Sequence, residues 1–201
     1  ITSGTTGTNL AENSGSGQTV YTITATDAVG VTGYAIGGTD AGLLSINSST
    51  GVVSLTADPD YETKSSYSFT VTASDAAGNT STATTVTFLI TNVNEAPVAV
   101  ADTATVSKNA SLTSINVIGN DTDVDGDPLS LTTVSTSGSG TVEINADSVS
   151  VNYTPEADYV GNEIITYTVS DNGTSVLTDI GTLTITVTNR PTVNITAVDA
   201  N

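Results

Sequence analysis

The densest chemistry in the sequence lies between Asn120 and Leu129, which read Asn-Asp-Thr-Asp-Val-Asp-Gly-Asp-Pro-Leu. Asp121, Asp123, Asp125 and Asp127 are separated by single residues. In a loop their carboxylates would sit about 5 Å apart, and each neighbouring pair would repel by about 3 kcal/mol at an effective dielectric of about 20. Such a loop closes tightly only when a cation joins it. Hard oxygen ligands at alternating positions suit Ca2+, and Gly126 permits the sharp turn. The loop is not an EF-hand, because the twelfth position of that frame is Thr132 rather than an acid and no flanking helix is evident. The bland alternative is a solvated acidic turn.

Further acids are scattered: Glu12-Asn13, Asp60-Tyr61-Glu62, Asn94-Glu95, and singly Asp27, Asp75, Asp102 and Asp171. Taken one at a time, each reads as a surface acid. The balance of the whole chain gives them weight. Across 201 residues there are 21 acids against three bases, Lys64, Lys108 and Arg190, for a formal charge of −18. Such a polyanion attracts divalent cations and does not by itself grip nucleic acid or an anionic membrane. His, Cys, Met and Trp are all absent. Cys/His zinc sites, thiol nucleophiles, Ser-His-Asp triads and disulfides therefore lack their residues. With no Trp and two Phe there is no aromatic platform for a sugar cleft, so acid pairs such as Asp58 and Asp60 do not read as glycosidase carboxylates, and no enzyme is expected.

The elements that must carry these acids are strands. Apolar residues make up 37% of the chain, and roughly one residue in five is Thr, a good strand former. Period-2 alternation recurs: Tyr21, Ile23, Ala25; Tyr67, Phe69, Val71, Ala73; Val86, Phe88, Ile90; Ile165, Tyr167, Val169; Leu183, Ile185, Val187. Turn clusters such as Asn47–Gly51, Ala76–Asn79 and Asp171–Gly173 separate the runs. No segment carries a helical period, and no apolar run approaches the roughly 20 residues that cross a bilayer. About seven short strands per hundred residues predict an all-β chain of tandem Greek-key Ig-like/cadherin-like β-sandwiches. The expected division is residues 1–95, residues 96–190, and a stretch at 191–201 that opens a further module. The Pro-terminated steps Asn92–Pro97 and Asn189–Pro191 mark the boundaries. The Ile1 start and the lack of Met suggest a piece of a longer chain.

Residues 8–97 resemble a bacterial cadherin repeat. The residues that carry the resemblance are the Glu12-Asn13 step, Asp60-Tyr61-Glu62, the strand Tyr67-x-Phe69-x-Val71-x-Ala73-x-Asp75, the turn through Thr50-Gly51, and Asn92-Val93-Asn94-Glu95-Ala96-Pro97. Residues 97–190 resemble the cadherin-like, Ig-like tandem module of long repeat adhesins. Here the matching parts are Pro97–Asp102, the acidic loop, Tyr153-Thr154-Pro155 and Ile165-x-Tyr167-x-Val169-x-Asp171. The resemblance implies calcium-rigidified extender modules in a surface adhesin of a Gram-negative bacterium, of the RTX type. They would be extracellular and serve adhesion or biofilm formation.

It also implies a site. Glu12, Asp60, Glu62, Asn94 and Glu95 would join Asp121, Asp123, Asp125, Asp127 and Asp171 as Ca2+ ligands bridging the interdomain junction. Asp27, Asp75 and Asp102 are secondary candidates. Val29 stands where a second acid is expected after Asp27, which weakens that site. Ser107-Lys108-Asn109 and Asn189-Arg190-Pro191 depart from the pattern by placing bases where carboxylates are expected. Lys108 and Arg190 are expected to pair with Glu156, Asp158 or Glu163. The expected partners are neighbouring repeats of the same chain. The alternative is a module that directly binds its own copies, a cell-surface protein or a polysaccharide.

Overall fold

The fold was read from a computed structural model that describes residues 1–189. The opening of a further module expected at 191–201, and the pairing expected of Arg190, lie outside the described residues. By its contacts the chain divides into two compact units, Ile1–Val93 and Asn94–Asn201.

The first unit contains β1 (Leu10–Ala11), β2 (Thr19–Thr22), β3 (Val31–Gly37), β4 (Leu44–Ile46), β5 (Val52–Leu55), β6 (Ser66–Asp75) and β7 (Thr84–Thr91). A single 3-10 turn, Ala41–Leu43, precedes β4. The strands form two sheets, ordered β1-β7-β6-β3 and β2-β5-β4. The second unit contains β8 (Asp102–Ser107), β9 (Thr113–Asn116), β10 (Ser130–Thr136), β11 (Thr141–Ile144), β12 (Ser150–Thr154), β13 (Gly161–Ser170) and β14 (Thr178–Thr188). Its sheets, β10-β13-β14-β8 and β11-β12-β9, repeat the plan strand for strand. In each unit the first strand runs parallel to the last, β1 to β7 and β8 to β14, and the other pairs are antiparallel.

Alternation in sequence becomes burial in space. Tyr67, Phe69, Val71 and Ala73 of β6 and Val86, Phe88 and Ile90 of β7 point inward against Val20, Val53 and Leu55 of the facing sheet. Tyr67 stacks on Phe88 at 4.7 Å, and Tyr21 meets Phe69 edge-on at 6.0 Å. In the second unit Ile165, Tyr167 and Val169 join Leu183, Ile185 and Val187 over Val151 and Tyr153. Each such side chain contributes about 1.5–3 kcal/mol on burial, so these rows hold each sandwich closed without disulfides. What remains at the strand ends are loops, and most of the acids sit on them.

Candidate metal centre

In the second unit, the connection between β9 and β10 folds around Asp123. Its main-chain carbonyl accepts from Gly126 N at 3.2 Å, and its Oδ1 accepts from Asp127 N at 3.2 Å. Asp125 Oδ2 accepts from Glu95 N at 2.8 Å, which ties the loop to the entering chain. The connection between β13 and β14 brings Asp171, a buried acid, to the same group. Asp171 Oδ2 accepts from Asn94 Nδ2 at 2.9 Å, and its Oδ1 accepts from Leu177 N at 3.0 Å and Gly173 N at 3.2 Å. Asn94 Nδ2 also donates to Ser175 O at 3.0 Å. Gly173 makes this convergence possible. A Cβ there would collide with the Asn94 side chain and sit 2.6 Å from Asp127 Oδ2. Nothing in the sequence singled out Gly173 beyond its place in a turn.

The electrostatics of this group are unbalanced. Burial raises the pKa of Asp127, and the charges of Asp123, Asp125 and Asp171 raise it further. Burial acts on Asp171 in the same direction, but the hydrogen bonds from Leu177, Asn94 and Gly173 outweigh it and hold the carboxyl below its ordinary value. Asp123 Oδ2 and Asp125 Oδ1 are buried and have no hydrogen-bond partner among the described residues. A buried acceptor without a partner costs about 1–3 kcal/mol, and more when charged. Hard oxygens, surplus negative charge and two orphaned buried carboxylate atoms together fit Ca2+, which takes six to eight such ligands.

Asp121 departs from its neighbours in the loop. Its Oδ1 accepts from Val100 N at 2.7 Å, and the Tyr167 hydroxyl lies 3.4 Å from each of its oxygens. The same hydroxyl lies 3.2 Å from Asp102 Oδ2 and 3.3 Å from Val100 O. Burial raises the pKa of both acids; the Asp121 charge adds to the shift of Asp102, and the Asp179 charge adds to that of Asp121. Burial likewise raises the Tyr167 phenol, with Asp121 and Asp102 adding to the shift, so it stays a donor. Asp179 was missed from sequence. Its Oδ2 accepts from Ala99 N at 2.9 Å. The available signal was its parity, since it shares the inward face of β14 with Leu183 and Ile185.

In the first unit Glu12 follows β1 and is only 3% exposed. Its Oε1 accepts from Val93 N and its Oε2 from Tyr61 N, both at 2.7 Å, so one carboxylate ties the β5–β6 loop to the chain beyond β7. A carboxylate oxygen of Glu62 lies within 4.8 Å of one from Glu12. Asp60 turns to its own loop. Both of its oxygens accept from Thr63, N–H at 2.8 Å and hydroxyl at 2.9 Å, and these bonds lower its pKa. Asp58, absent from the expected ligands, accepts from Gly15 N at 2.7 Å. Asp27 and Asp75 are brought together on a cavity lined also by Val31 and Asn79. Asp27 accepts from Val29 N at 2.8 Å, and Asp75 accepts twice from Asn79, through N–H and side-chain amide.

Of the three acids expected for the bases, the structure gives Lys108 one. Lys108 Nζ pairs with Asp158 at 3.8 Å. Glu163 is not its partner: this acid is buried and accepts from the Tyr153 hydroxyl and from Ser139 N and Gly140 N. It sits on the inward face of β13, out of reach of a surface ammonium.

Among solved structures, human CDH23 EC21-23 is similar with a TM-score of 0.65 and 19% identity, covering 91% of this chain and 72% of that one. Human protocadherin-24 EC1-2 (Form II) gives 0.64 and 19%, covering 93% and 95% respectively. Mouse cadherin-23 EC22-24 gives 0.60 and 23%, covering 90% and 61%. A search of curated proteins found no match. Fold and family models together give a cadherin-like unit followed by an Ig-like one. The chain belongs to the bacterial Ig domain family, whose model matches residues 94–196, and residues 7–91 match the cadherin domain model.

Proposed function

We propose that these are calcium-rigidified extender modules of a bacterial cell-surface adhesin, acting outside the cell in adhesion or biofilm formation with neighbouring repeats as partners. The observation that carries the reading is the pair of buried, partnerless oxygens, Asp123 Oδ2 and Asp125 Oδ1, inside a group that also holds Asp127, Asp171 and Asn94. Those five residues would hold Ca2+ in the second unit. Glu12 and Glu62 would hold it in the first, with Asp60 two residues before Glu62 in the same loop. Asn94 and Glu95 immediately follow Val93, so an ion bound beside them immobilises the connecting segment. A bound ion would supply the positive charge these acids lack; the protein supplies the oxygen ligands, carboxylates drawn together by the strand ends.

A site that binds only the folded state adds RT ln(1 + [L]/Kd), about 2.7 kcal/mol per site for a Kd near 0.1 mM in about 10 mM Ca2+. Scanning calorimetry should show a melting temperature far higher in Ca2+ than in EDTA, with Mg2+ a poor substitute. Superimposable thermograms in Ca2+ and EDTA would eliminate the metal reading.

A further inference from the structure

We infer that the corner of the second unit where β8 ends is closed by the protein's own side chains, Asn109 on Asp158 with the Lys108 ammonium standing where the first unit has the Glu12 carboxylate, and takes no Ca2+; the inference rests on the calcium reading of the Glu12 corner. The common topology lets the two corners be matched atom by atom. Past the register pair Ala11–Thr91, Glu12 N donates to Thr91 O at 3.1 Å. Past the register pair Ser107–Thr188, Lys108 N donates to Thr188 O at 2.8 Å. The next residues, Asn13 and Asn109, both adopt left-handed backbone, with φ of 56° and 57°. Lys108 is therefore the positional counterpart of Glu12.

The chemistry at the two positions is reversed. At the first corner an anionic side chain makes the closure, with Glu12 accepting from Tyr61 N and Val93 N and the Glu62 carboxylate within 4.8 Å. At the second corner a neutral amide makes it. Asn109 Oδ1 accepts from Asp158 N at 2.7 Å, and Asn109 Nδ2 donates to Asp158 Oδ1 at 3.0 Å. Lys108 Nζ lies 3.8 Å from that same Oδ1. The loop-to-loop tie is thus complete without an added ion, and a divalent cation brought to it would meet an ammonium instead of a second carboxylate. Glu156 is the other acid of this loop, so these segments carry two acids and one base. At the first corner the matching segments carry four acids, Glu12, Asp58, Asp60 and Glu62, and one base, Lys64.

Amide hydrogen exchange on the intact chain, read by mass spectrometry in Ca2+ and in EDTA, tests this. In about 10 mM Ca2+ with a Kd near 0.1 mM, local opening around a bound ion slows by about a hundredfold. Segments containing Tyr61 and Val93 should show that calcium-dependent protection, and the segment containing Asp158 should exchange identically in both buffers. Lys108→Glu should make exchange at Asp158 calcium-sensitive, fast in EDTA and slow in Ca2+. Lys108→Met should change it equally in both. The inference is overturned if chelation deprotects wild-type Asp158 as it does Tyr61, or if Lys108→Glu exchanges alike with and without Ca2+. An unresponsive Tyr61 segment would sink the calcium reading of the first unit, while the Lys108→Glu arm still decides this one.

Discussion

Glu163 and the Asp123–Asp127 loop both bury carboxylate in the second unit, and they resolve its cost in opposite ways. Glu163 is 2% exposed and surrounded by donors: the Tyr153 hydroxyl at 3.0 Å, Ser139 N and Gly140 N at 3.1 Å, with the Thr136 hydroxyl at 3.5 Å. Gly140 lets the hairpin between β10 and β11 press onto it, since a Cβ there would lie 2.7 Å from the Tyr153 ring and 2.8 Å from Glu163 Oε2. The acidic loop instead buries Asp123 Oδ2 and Asp125 Oδ1 beside other acids with no donor. A carboxylate met by the protein's own N–H and O–H groups and set apart from other acids is part of the fold. One crowded among like charges, with oxygens left over, is shaped for something brought from outside. The contrast gives a way to sort buried acids: weigh the donors each one meets against the acids beside it.

The largest expected effect breaks the finished acid. Glu163→Ala leaves a buried phenol, the buried Gly140 N–H and the part-buried Ser139 N–H without their acceptor, a loss of about 3 kcal/mol. Urea unfolding should give the same loss in Ca2+ and in EDTA. A loss confined to Ca2+ would move Glu163 into the metal apparatus and erase the contrast.

Next is the unfinished group, where the sign should depend on the ion. Asp123→Asn with Asp125→Asn removes two charges that repel in the absence of metal and bind in its presence. Calorimetry in Ca2+ should show loss of the roughly 2.7 kcal/mol expected from one such site. In EDTA the variant should melt no lower than the wild type. A variant equally destabilised in both buffers would show that these carboxylates are structural, like Glu163.

Much of this was legible in the sequence because it is local. Alternation located the inward faces of β6, β7, β13 and β14, since a strand's period is a property of neighbours. The Asp-x-Asp spacing located the loop for the same reason. What could not be read is which partner each acid finds across the sandwich. Asp121 belongs by sequence to the acidic run, yet its donors are Val100 N and Tyr167, 46 residues away. Asp60 matches a family step but turns back onto Thr63, three residues along. Glu163 carried a readable warning, an acid at the inward parity of Ile165, Tyr167 and Val169, which means buried rather than paired at the surface. Lys108 was read as a base placed where acids belong; that its neighbour Asn109 takes over the loop tie depends on left-handed backbone at Asn109 and Asp158.

A smaller effect sharpens the finished side of the comparison. Tyr153→Phe removes one donor to Glu163 and leaves its two N–H bonds in place, so about 1 kcal/mol should be lost, independent of Ca2+. Burial, then the bond to Glu163 and its charge, raises the phenol well above its ordinary range, so this donor persists in alkaline buffer. Below the ordinary tyrosine value of 10.0 neither state ionises, so urea midpoints at about pH 7 and about pH 9 should show the same difference between variant and wild type. A difference that vanishes by about pH 9 would mean the phenol had ionised and the bond was already lost.

The smallest effect asks whether the first unit, too, holds a buried acid finished with no other acid beside it, and Asp40 is the candidate. It is 8% exposed; Oδ2 accepts from Ser68 N at 2.7 Å, and Oδ1 lies 3.1 Å from Lys64 Nζ, which itself sits 5.0 Å from the Tyr67 ring centroid. Burial pushes its pKa up, but the Ser68 N–H and the Lys64 ammonium outweigh burial and hold it below the ordinary 3.8. A carboxyl depressed on folding contributes stability that is fully present above its unfolded pKa and is lost as pH falls through the folded one. The share is about 1 kcal/mol or less, because Lys64 is partly in solvent. Asp40→Asn keeps the shape and removes the charge. It should lower stability slightly at neutral pH and flatten the fall of the first unit's unfolding midpoint between about pH 5 and pH 2. Because no ion is involved, the flattening should be the same in Ca2+ and in EDTA. An Asn variant with an unchanged acid limb would remove Asp40 from the finished class and leave Glu163 as its one tested member.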